Sequence, residues 1–360
     1  MLPASAPTVR KRLTQQTAGA RAWADRTLGQ LAVALVYGGI SDEDQLYISK
    51  SPPEQLSVTA LSDALTELGV RYEVLDPCRP SFIRDLARFD VALPNLHGPF
   101  GEDGRLQGLL DYLRMPYCGS GVAASAIAAD KILCKRLMEA LAVPTPVWRT
   151  WPGPATAWPG RPVMVKPRTG GSSVGMSMVR REEDLGGAII RAESSDPPGV
   201  LIEDHIPGLP VTVGVLELPD GVVAFPPLAT QVHEGEFYDA GAKLDAAGEG
   251  TVTCTEAVLP APVTAALNSY VIKLWDGLGC HGIARFDFIA AGDGTVFALE
   301  VNTTPGMSYE SNFITAAGLL GLRHADLVIA ILREALTRPR YAAPLPVPDF
   351  ASPPVQHSQL

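Results

Sequence analysis

The chain has 360 residues, of which 46% are hydrophobic and 19% charged, and its formal net charge is −10. This length allows two or three domains with a sizeable core. The acidic balance argues against a nucleic-acid partner, and no apolar run reaches the ~18 residues that a membrane-spanning helix needs. The five cysteines lack CxxC spacing, which is typical of reduced thiols rather than disulfides or zinc. We therefore expect a cytoplasmic protein.

The first predicted units are an extension and an α/β domain. Residues 1–30 lack the apolar segment of a secretory signal, and the extension is either frayed or helical. Residues 31–129 alternate between short apolar strands, at 31–36, 72–75 and 91–96, and a helix at 58–68. Short apolar runs that end in glycine-rich loops are typical of buried parallel strands. The alternation predicts an α/β domain with a parallel sheet.

Two further domains and a tail are predicted after this point. Residues 130–208 hold strands at 163–167, 176–179 and 200–203, a helix from about Glu182, and another that Asp130 is placed to cap. Strands dominate residues 209–340, with helices at 263–278 and 324–336, which favours an α+β domain with an antiparallel sheet. The tail, residues 341–360, is rich in proline and is expected to be loosely held.

A hairpin predicted over residues 282–306 gathers polar residues on one face. Asp293-Gly294 is a two-residue type I′ turn signal, and a turn there pairs Asp287 with Glu300 and Arg285 with Asn302. Alternation then points five apolar side chains toward the core: Phe286, Phe288, Phe297, Leu299 and Val301. Opposed carboxylates repel each other unless a cation lies between them. The oxygens of Asp, Glu and Asn suit Mg²⁺, so we predict a magnesium site; the alternative is a solvated face of an edge hairpin.

A glycine-rich loop at residues 170–175 lies between two predicted strands. Glycines let backbone N–H groups approach phosphate oxygens, and serines add donors. No Gly-Lys-Ser/Thr closes the loop, so it is not a Walker loop, and a plain hairpin connection is the alternative. Lys166 at the preceding strand end favours phosphate binding, and Lys131 is a second candidate. Glu203 ends an apolar strand at a point where adenine or ribose could be held.

In order and composition these motifs resemble the D-alanine–D-alanine ligases of the ATP-grasp superfamily, over about residues 31 to 337. The matching segments are residues 38–43, 96–104, 117–125, 129–131, 165–175, 237–239 and 300–307. The resemblance implies a three-domain ATP-grasp architecture with ATP clamped between the second and third domains. It also implies a ligase reaction on two amino-acid substrates. The γ-phosphate of ATP first moves to a carboxylate, and an amine then displaces phosphate from the acyl phosphate. Two Mg²⁺ ions and a homodimer are expected.

The resemblance also implies roles for individual residues. The residues implied for ATP are Lys131, Lys166, Ser172, Ser173, Val174, Glu203 and Lys243. Those implied for Mg²⁺ are Asp287, Glu300 and Asn302. The implied catalytic set is Arg285, Gly306, Glu43, Ser172 and His97, in which Arg285 and the Gly306 N–H stabilise developing negative charge. The first amino acid is held by Glu43 and His97, and the second meets Ser311, Leu244 and Glu310.

Several positions depart from the family pattern. They are Tyr47, Pro210, Leu244, Glu310 and Asn312. Pro210 replaces a glutamate that binds ribose, and Leu244 replaces a tyrosine that links the lid to the pocket. The ATP and metal positions are kept almost whole, whereas Leu244 and Glu310 change the side of the second substrate, which favours a dipeptide ligase whose second substrate is not D-alanine. The alternatives are a cell-wall D-alanine–D-alanine ligase, another ATP-grasp kinase or carboxylase, and an inactive nucleotide-binding homologue.

Overall fold

The computed structural model describes residues 7–152, 158–171, 174–195, 199–232 and 252–341. The helices in this part of the chain are α1 (Pro7–Thr27), α2 (Asp42–Lys50), α3 (Ser57–Glu67), α4 (Phe82–Leu86), α5 (Arg105–Tyr112), α6 (Val122–Ala129), α7 (Lys131–Ala140), α8 (Glu182–Ser195), α9 (Ala261–Leu278), α10 (Asn312–Gly318) and α11 (His324–Thr337). None of the helices in these ranges is long and apolar enough to cross a membrane.

The strands form three sheets, as expected for a mixed α/β protein. They are β1 (Ala32–Val36), β2 (Arg71–Leu75), β3 (Val91–Pro94), β4 (Trp148–Trp151), β5 (Val163–Pro167), β6 (Ser177–Val179), β7 (Val200–Asp204), β8 (Gly208–Leu218), β9 (Gly221–Ala224), β10 (Leu228–Val232), β11 (Val252–Glu256), β12 (Ile283–Ala291) and β13 (Val296–Asn302). The boundaries of the three domains stay predictions.

The first sheet is parallel, in the order β2-β1-β3. All five residues of β1 are buried, and its alternate side chains face two separate cores. Val33 and Leu35 join the core that contains α3 and α11, whereas Ala34 and Val36 join the core of α4 and α5. Burial on both faces explains the continuous apolar run in the sequence and confirms the predicted parallel sheet.

The N-terminal extension is a packed helix. Leu13, Ala20 and Ala24 of α1 are buried in the same core as α11. An ion pair joins Arg21 to Asp326 of α11, with an Nη2–Oδ1 distance of 2.6 Å. The helical alternative for residues 1–30 is therefore correct over residues 7–27, and this helix adds apolar contact area to the first domain.

The other two sheets are antiparallel. The central sheet has the order β4-β7-β5-β6, and α8 covers one face with Leu185 and Ile189. The C-terminal sheet runs β11-β10-β8-β12-β13, with β9 paired to β8, which confirms the antiparallel prediction. Its β12 packs Phe286 and Phe288 against α9, so the polar alternate residues of β12 face the opposite side.

The hairpin of β12 and β13 has the predicted pairing near its base but a different turn. Arg285 pairs with Asn302 and Asp287 with Glu300, as predicted. The Gly294 N–H donates to the Ala291 carbonyl at 3.0 Å, and the Ala291 N–H to the Thr295 carbonyl at 2.8 Å. With Gly294 at φ 87°, this is a three-residue loop with a left-handed glycine. The prediction of a two-residue type I′ turn was wrong.

A β-bulge compensates for the longer loop. The register shifts between Asp287 and Phe288, so that Phe288 lies opposite Ala298 and Leu299 is the extra residue. Consequently Val296 and Ala298 are buried, whereas Phe297 and Leu299 are only partly buried. The expected inward direction of Phe297 and Leu299 was wrong, because the assumed turn placed β13 one residue out of register.

Candidate active site

The carboxyl ends of β1 and β3 meet at one edge of the parallel sheet, where ligands commonly bind. Ser41, after β1, caps α2 and forms a capping box with Asp44. Glu43 lies in the first turn of α2, but its side chain is outside the described residues. Asn95, after β3, is buried and donates from Nδ2 to the Pro305 carbonyl at 3.2 Å. This bond ties the edge to the loop that follows the C-terminal hairpin.

His97 lies in the same edge loop and faces an acidic partner. Its Nδ1 is 3.5 Å from Oε1 of Glu102, and the Gly98 N–H donates to Oε2 of Glu102 at 2.9 Å. The His97 side chain is 41% exposed, which leaves it accessible to a small molecule. Glu102 had not been singled out from the sequence, although it belongs to the matching segment 96–104.

Arg285 and Asp287 form an ion pair along β12. Nη2 of Arg285 lies 2.8 Å from Oδ2 of Asp287, and its Nε is 3.1 Å from Oδ1. Thr212 of β8, opposite Asp287 in the sheet, donates its hydroxyl to Oδ1 as well. Burial would lower the pKa of Arg285, but Asp287, Glu300 and Glu102 raise it above its ordinary value. The guanidinium therefore stays charged and lies among three carboxylates.

The predicted metal ligands share the exposed side of this hairpin. Asp287 and Glu300 are paired across the strands, Asn302 pairs with Arg285, and all of them are partly exposed. The Asn302 Oδ1 accepts the Thr304 N–H at 2.8 Å, which fixes the amide orientation. Two carboxylates and an amide oxygen are the hard donors that Mg²⁺ prefers, so this donor set fits the predicted ion.

Lys131 lies beside the glycine-rich loop. Asp130 caps α7 through the N–H groups of Ile132 and Leu133, as predicted, and also pairs with Arg168. The Lys131 ammonium donates to the Gly170 carbonyl at 2.6 Å and is buried. Lys131 is therefore held at the base of the loop, where its charge adds to the local positive potential.

Lys166 and Glu203 form a buried cluster with a third residue, Lys135. The Lys166 and Lys135 ammonium groups each lie 2.5 Å from one Glu203 carboxylate oxygen, and all three side chains are at least nine-tenths buried. Burial opposes ionisation of Glu203, yet the two lysines hold its pKa at about 2. Burial lowers the pKa of Lys135, whereas the pKa of Lys166 is raised by Glu203 despite its burial. Lys166 is therefore the more firmly charged lysine and can attract an anionic ligand such as a phosphate.

The lysine cluster adjoins the hairpin. Burial lowers the pKa of Lys166, but Glu203 and then Glu300 raise it, so Lys166 is close enough to Glu300 to interact electrostatically. Lys135 also donates to Thr145, 2.5 Å away, which donates to the Ala298 carbonyl of β13 at 2.8 Å. The buried lysine cluster is therefore linked to strand β13, which carries the predicted metal ligands Glu300 and Asn302.

The loop after the hairpin returns to the first domain. The Met307 N–H donates to Ser57 at 2.9 Å, and the Tyr309 hydroxyl to Asp63 at 2.7 Å. Gly306 adjoins Ser311: a Cβ at Gly306 would lie 3.7 Å from the Ser311 Cβ. Ser311 caps α10 by accepting the Ile314 N–H, and Glu310 is exposed. Together with the Asn95–Pro305 bond, these contacts hold the loop that carries Gly306 against α3 and the end of β3.

Some predicted residues cannot be placed. Those outside the described residues are Ser172, Ser173, residues 237–239, Lys243 and Leu244. Val174 is described, and its N–H donates to the Gly171 carbonyl at 3.2 Å within the glycine-rich loop. The roles assigned to all of these residues stay predictions.

Three residues near the site were missed in the sequence: Glu102, Lys135 and Thr212. Lys135 follows Lys131 by one helical turn, so both lie on the same face of α7. That spacing was visible in the sequence. Thr212 could be found only once β8 was known to pair with β12, because no local pattern places it opposite Asp287.

Two family profiles match the chain. The one described as "D-ala D-ala ligase C-terminus" covers residues 150–333, and the one described as "D-ala D-ala ligase N-terminus" covers residues 78–120. The chain is 37% identical over 324 residues to the D-alanine–D-alanine ligase of Syntrophotalea carbinolica, covering 86% of this chain and 98% of that one. It is 34% identical to the D-alanine–D-alanine ligase of a Synechococcus strain, and that match covers 89% of this chain and 98% of the relative.

Solved structures agree with these matches. The crystal structure of D-alanine–D-alanine ligase from Bacillus anthracis complexed with ATP is 25% identical, with a TM-score of 0.70, over 85% of this chain and 97% of that one. The D-alanyl-alanine synthetase A of Vibrio cholerae shares the fold, with a TM-score of 0.73. Its sequence is 21% identical, and the match covers 86% of this chain and 100% of that one. The predicted ATP-grasp architecture and the prediction of an ATP-dependent amide-bond ligase are thereby confirmed. This chain belongs to the D-alanine–D-alanine ligase family.

Proposed function

We propose that this protein is the cell-wall D-alanine–D-alanine ligase, which uses ATP and Mg²⁺ to join two D-alanine molecules. The relatives described above are named for this reaction, and they favour it over the predicted second substrate other than D-alanine. Glu310, which had suggested a different acceptor, is exposed, so water screens its charge. The observation that carries the proposal is the pairing of Asp287 with Glu300 across the hairpin, on the face where Arg285 contacts Asp287.

The first step is transfer of the γ-phosphate to the carboxylate of one D-alanine. Lys131 and Lys166 attract the phosphates of ATP, and the Lys135–Glu203–Lys166 cluster keeps Lys166 in place. Asp287, Glu300 and Asn302 would hold Mg²⁺, which supplies charge neutralisation on the phosphates when bound. Arg285 lies beside these ligands and neutralises charge on the phosphoryl group during its transfer. Glu43 and His97, at the edge of the parallel sheet, would bind this first D-alanine.

The second step is attack by the amine of the other D-alanine on the acyl phosphate. A carboxylate is a poor acceptor for an amine, and phosphorylation gives it a good leaving group. The tetrahedral oxyanion that forms is stabilised by Arg285 and by the N–H of Gly306. Ser311, next to Gly306, would bind the carboxylate of the second D-alanine. The products are the dipeptide, ADP and phosphate. We expect a cytoplasmic homodimer.

The decisive experiment measures phosphate release from ATP across a matrix of D- and L-amino-acid pairs. The proposal requires D-alanine with D-alanine to give the highest kcat/KM. A clearly preferred acceptor other than D-alanine would restore the dipeptide-ligase alternative. Release with one acceptor alone or with bicarbonate would indicate a kinase or carboxylase, and no release with any pair would indicate an inactive homologue.

A further inference from the structure

A second cluster of potential metal ligands lies away from the active site. Glu217 is near the end of β8, His281 lies two residues before β12, and Glu334 lies on α11. Their carboxylate oxygens and imidazole nitrogen all lie within 4.8 Å of one another. Glu217 is five residues along β8 from Thr212, the partner of Asp287, which is roughly 16 Å at the rise of a strand. No step of the proposed reaction uses these residues.

Two of the three separations between the ligand atoms match those in a metal centre. Nδ1 of His281 is 3.3 Å from Oε2 of Glu217 and 3.5 Å from Oε1 of Glu334. A tetrahedral ion with bonds of about 2.0–2.2 Å holds neighbouring ligands about 3.3–3.6 Å apart. The Gly282 N–H donates to Glu217 Oε2 at 2.8 Å, which orients that carboxylate as an outer-shell donor commonly does around metals.

Glu334 supplies an independent observation. Its side chain is 10% exposed, and its Oε2 is buried with no hydrogen-bond partner among the described residues. The nearby cation, Arg338, is 3.5 Å from Oε1, and its two terminal nitrogens donate to the carbonyls of Tyr117 and Gly119. A buried carboxylate oxygen without a partner is costly, and a cation held by both oxygens of Glu334 would satisfy it.

Two of the three ligands are open to solvent. His281 and Glu217 are 40% and 27% exposed, so an ion has a path from solvent.

We propose that Glu217, His281 and Glu334 bind a divalent transition-metal ion, with Zn²⁺ the best match. One imidazole and two carboxylates suit Zn²⁺ better than Mg²⁺, which takes oxygen ligands. A water molecule would complete the tetrahedron. The ion would cross-link β8, the start of β12 and α11, and so stabilise the folded C-terminal domain.

The test is Zn²⁺ titration of the metal-stripped full-length protein in the presence of excess Mg²⁺, which occupies the active site. The variants are Glu334→Gln, His281→Gln and Glu217→Gln, and the control is Glu193→Gln, which alters an exposed glutamate of α8. Bound zinc is measured by elemental analysis after gel filtration, and thermal unfolding is followed with and without Zn²⁺.

We expect the wild type and Glu193→Gln to bind one more zinc ion than each of the three variants. Zn²⁺ should raise the melting temperatures of the wild type and of Glu193→Gln. It should not raise those of the three cluster variants, which should bind zinc at least ~10-fold more weakly. Equal zinc content and equal stabilisation in all five proteins would overturn the proposal, because adventitious surface binding behaves that way. If Glu334→Gln does not fold, the two partly exposed positions decide the outcome by the same criteria.

Discussion

The guanidinium of Arg285 lies 2.8 Å from the carboxylate of Asp287, two residues along the same strand. The positive charge of Arg285 offsets the repulsion between the opposed carboxylates of Asp287 and Glu300. The ion pair also holds the arginine on the face that carries the predicted metal ligands. Arg285 and Asp287 therefore depend on each other for their orientation, and variants at the two positions should differ in a diagnostic way.

For Arg285→Ala we expect catalysis to fail while nucleotide binding is largely kept. Losing one donor to a developing negative charge costs about 10²–10³ in kcat, whereas the lysine cluster that attracts the phosphates is unchanged. Steady-state kinetics and direct measurement of ATP affinity separate the two effects. Full activity of this variant would remove Arg285 from the proposed mechanism.

For Asp287→Asn and Glu300→Gln we expect turnover to be abolished, because each removes a charged oxygen ligand of Mg²⁺. Their stabilities without metal should differ. Asp287→Asn leaves Arg285 and Thr212 with a weaker partner and should lower the unfolding free energy. Glu300→Gln breaks no side-chain ion pair within 4 Å among the described residues and relieves the repulsion with Asp287, so it should lower the unfolding free energy less than Asp287→Asn does. Denaturant unfolding in chelator checks both values, and retained activity in either variant would show that these residues are not essential metal ligands.

The buried cluster of Glu203 with Lys135 and Lys166 predicts a pH-dependent contribution to stability. The Glu203 pKa is lowered from 4.5 to about 2 in the folded protein. Its ionised form therefore stabilises the fold above about pH 4.5, and this contribution, about 3 kcal/mol, is lost as the pH falls toward 2.

For Glu203→Gln we expect destabilisation of about 3–5 kcal/mol at neutral pH, because two buried lysines lose their counter-charge. The difference from the wild type should shrink as the pH falls below 4.5. Denaturant unfolding at several pH values measures it, with the exposed Glu193→Gln as the control. A difference that does not vary with pH would contradict the assignment of the ion pairs.

Helix α1 should contribute to stability although it lies outside the segments that match the family. Leu13→Ala removes a side chain that is 5% exposed and should cost about 2 kcal/mol. Arg26→Ala, on the exposed side of the same helix, should change stability by less than about 0.5 kcal/mol. Thermal and denaturant unfolding compare the two variants, and equal effects would mean that α1 does not pack as described.

The sequence predicted elements well where a single physical signal dominated. The apolar run of β1 and the Asp130 cap of α7 each indicated the observed structure, because burial and capping act locally. The turn of the β12–β13 hairpin was predicted wrongly. Asp293-Gly294 suits a two-residue turn and also the last two positions of a three-residue loop, and only the packing of Val296 and Ala298 against α9 separates the two.

The sequence likewise predicted the site residues that lie in local motifs but not their partners from distant segments. The motifs identified the residues that would carry charge, since glycine loops and carboxylate pairs are local in sequence. The partners that hold them come from distant segments. Lys135 reaches Glu203 across 68 residues, and Thr212 reaches Asp287 across 75. Such contacts depend on tertiary structure, and no pattern within one segment reports them.

The bulge at Leu299 has a consequence for how this hairpin can change over evolution. It lies between the loop and the paired residues Asp287 and Glu300, so the alignment of the acidic pair does not depend on the length of the tip. A one-residue insertion or deletion in residues 292–294 can be absorbed by gain or loss of the bulge. The outer half of the hairpin can therefore change in length without altering the pairing of Asp287 with Glu300.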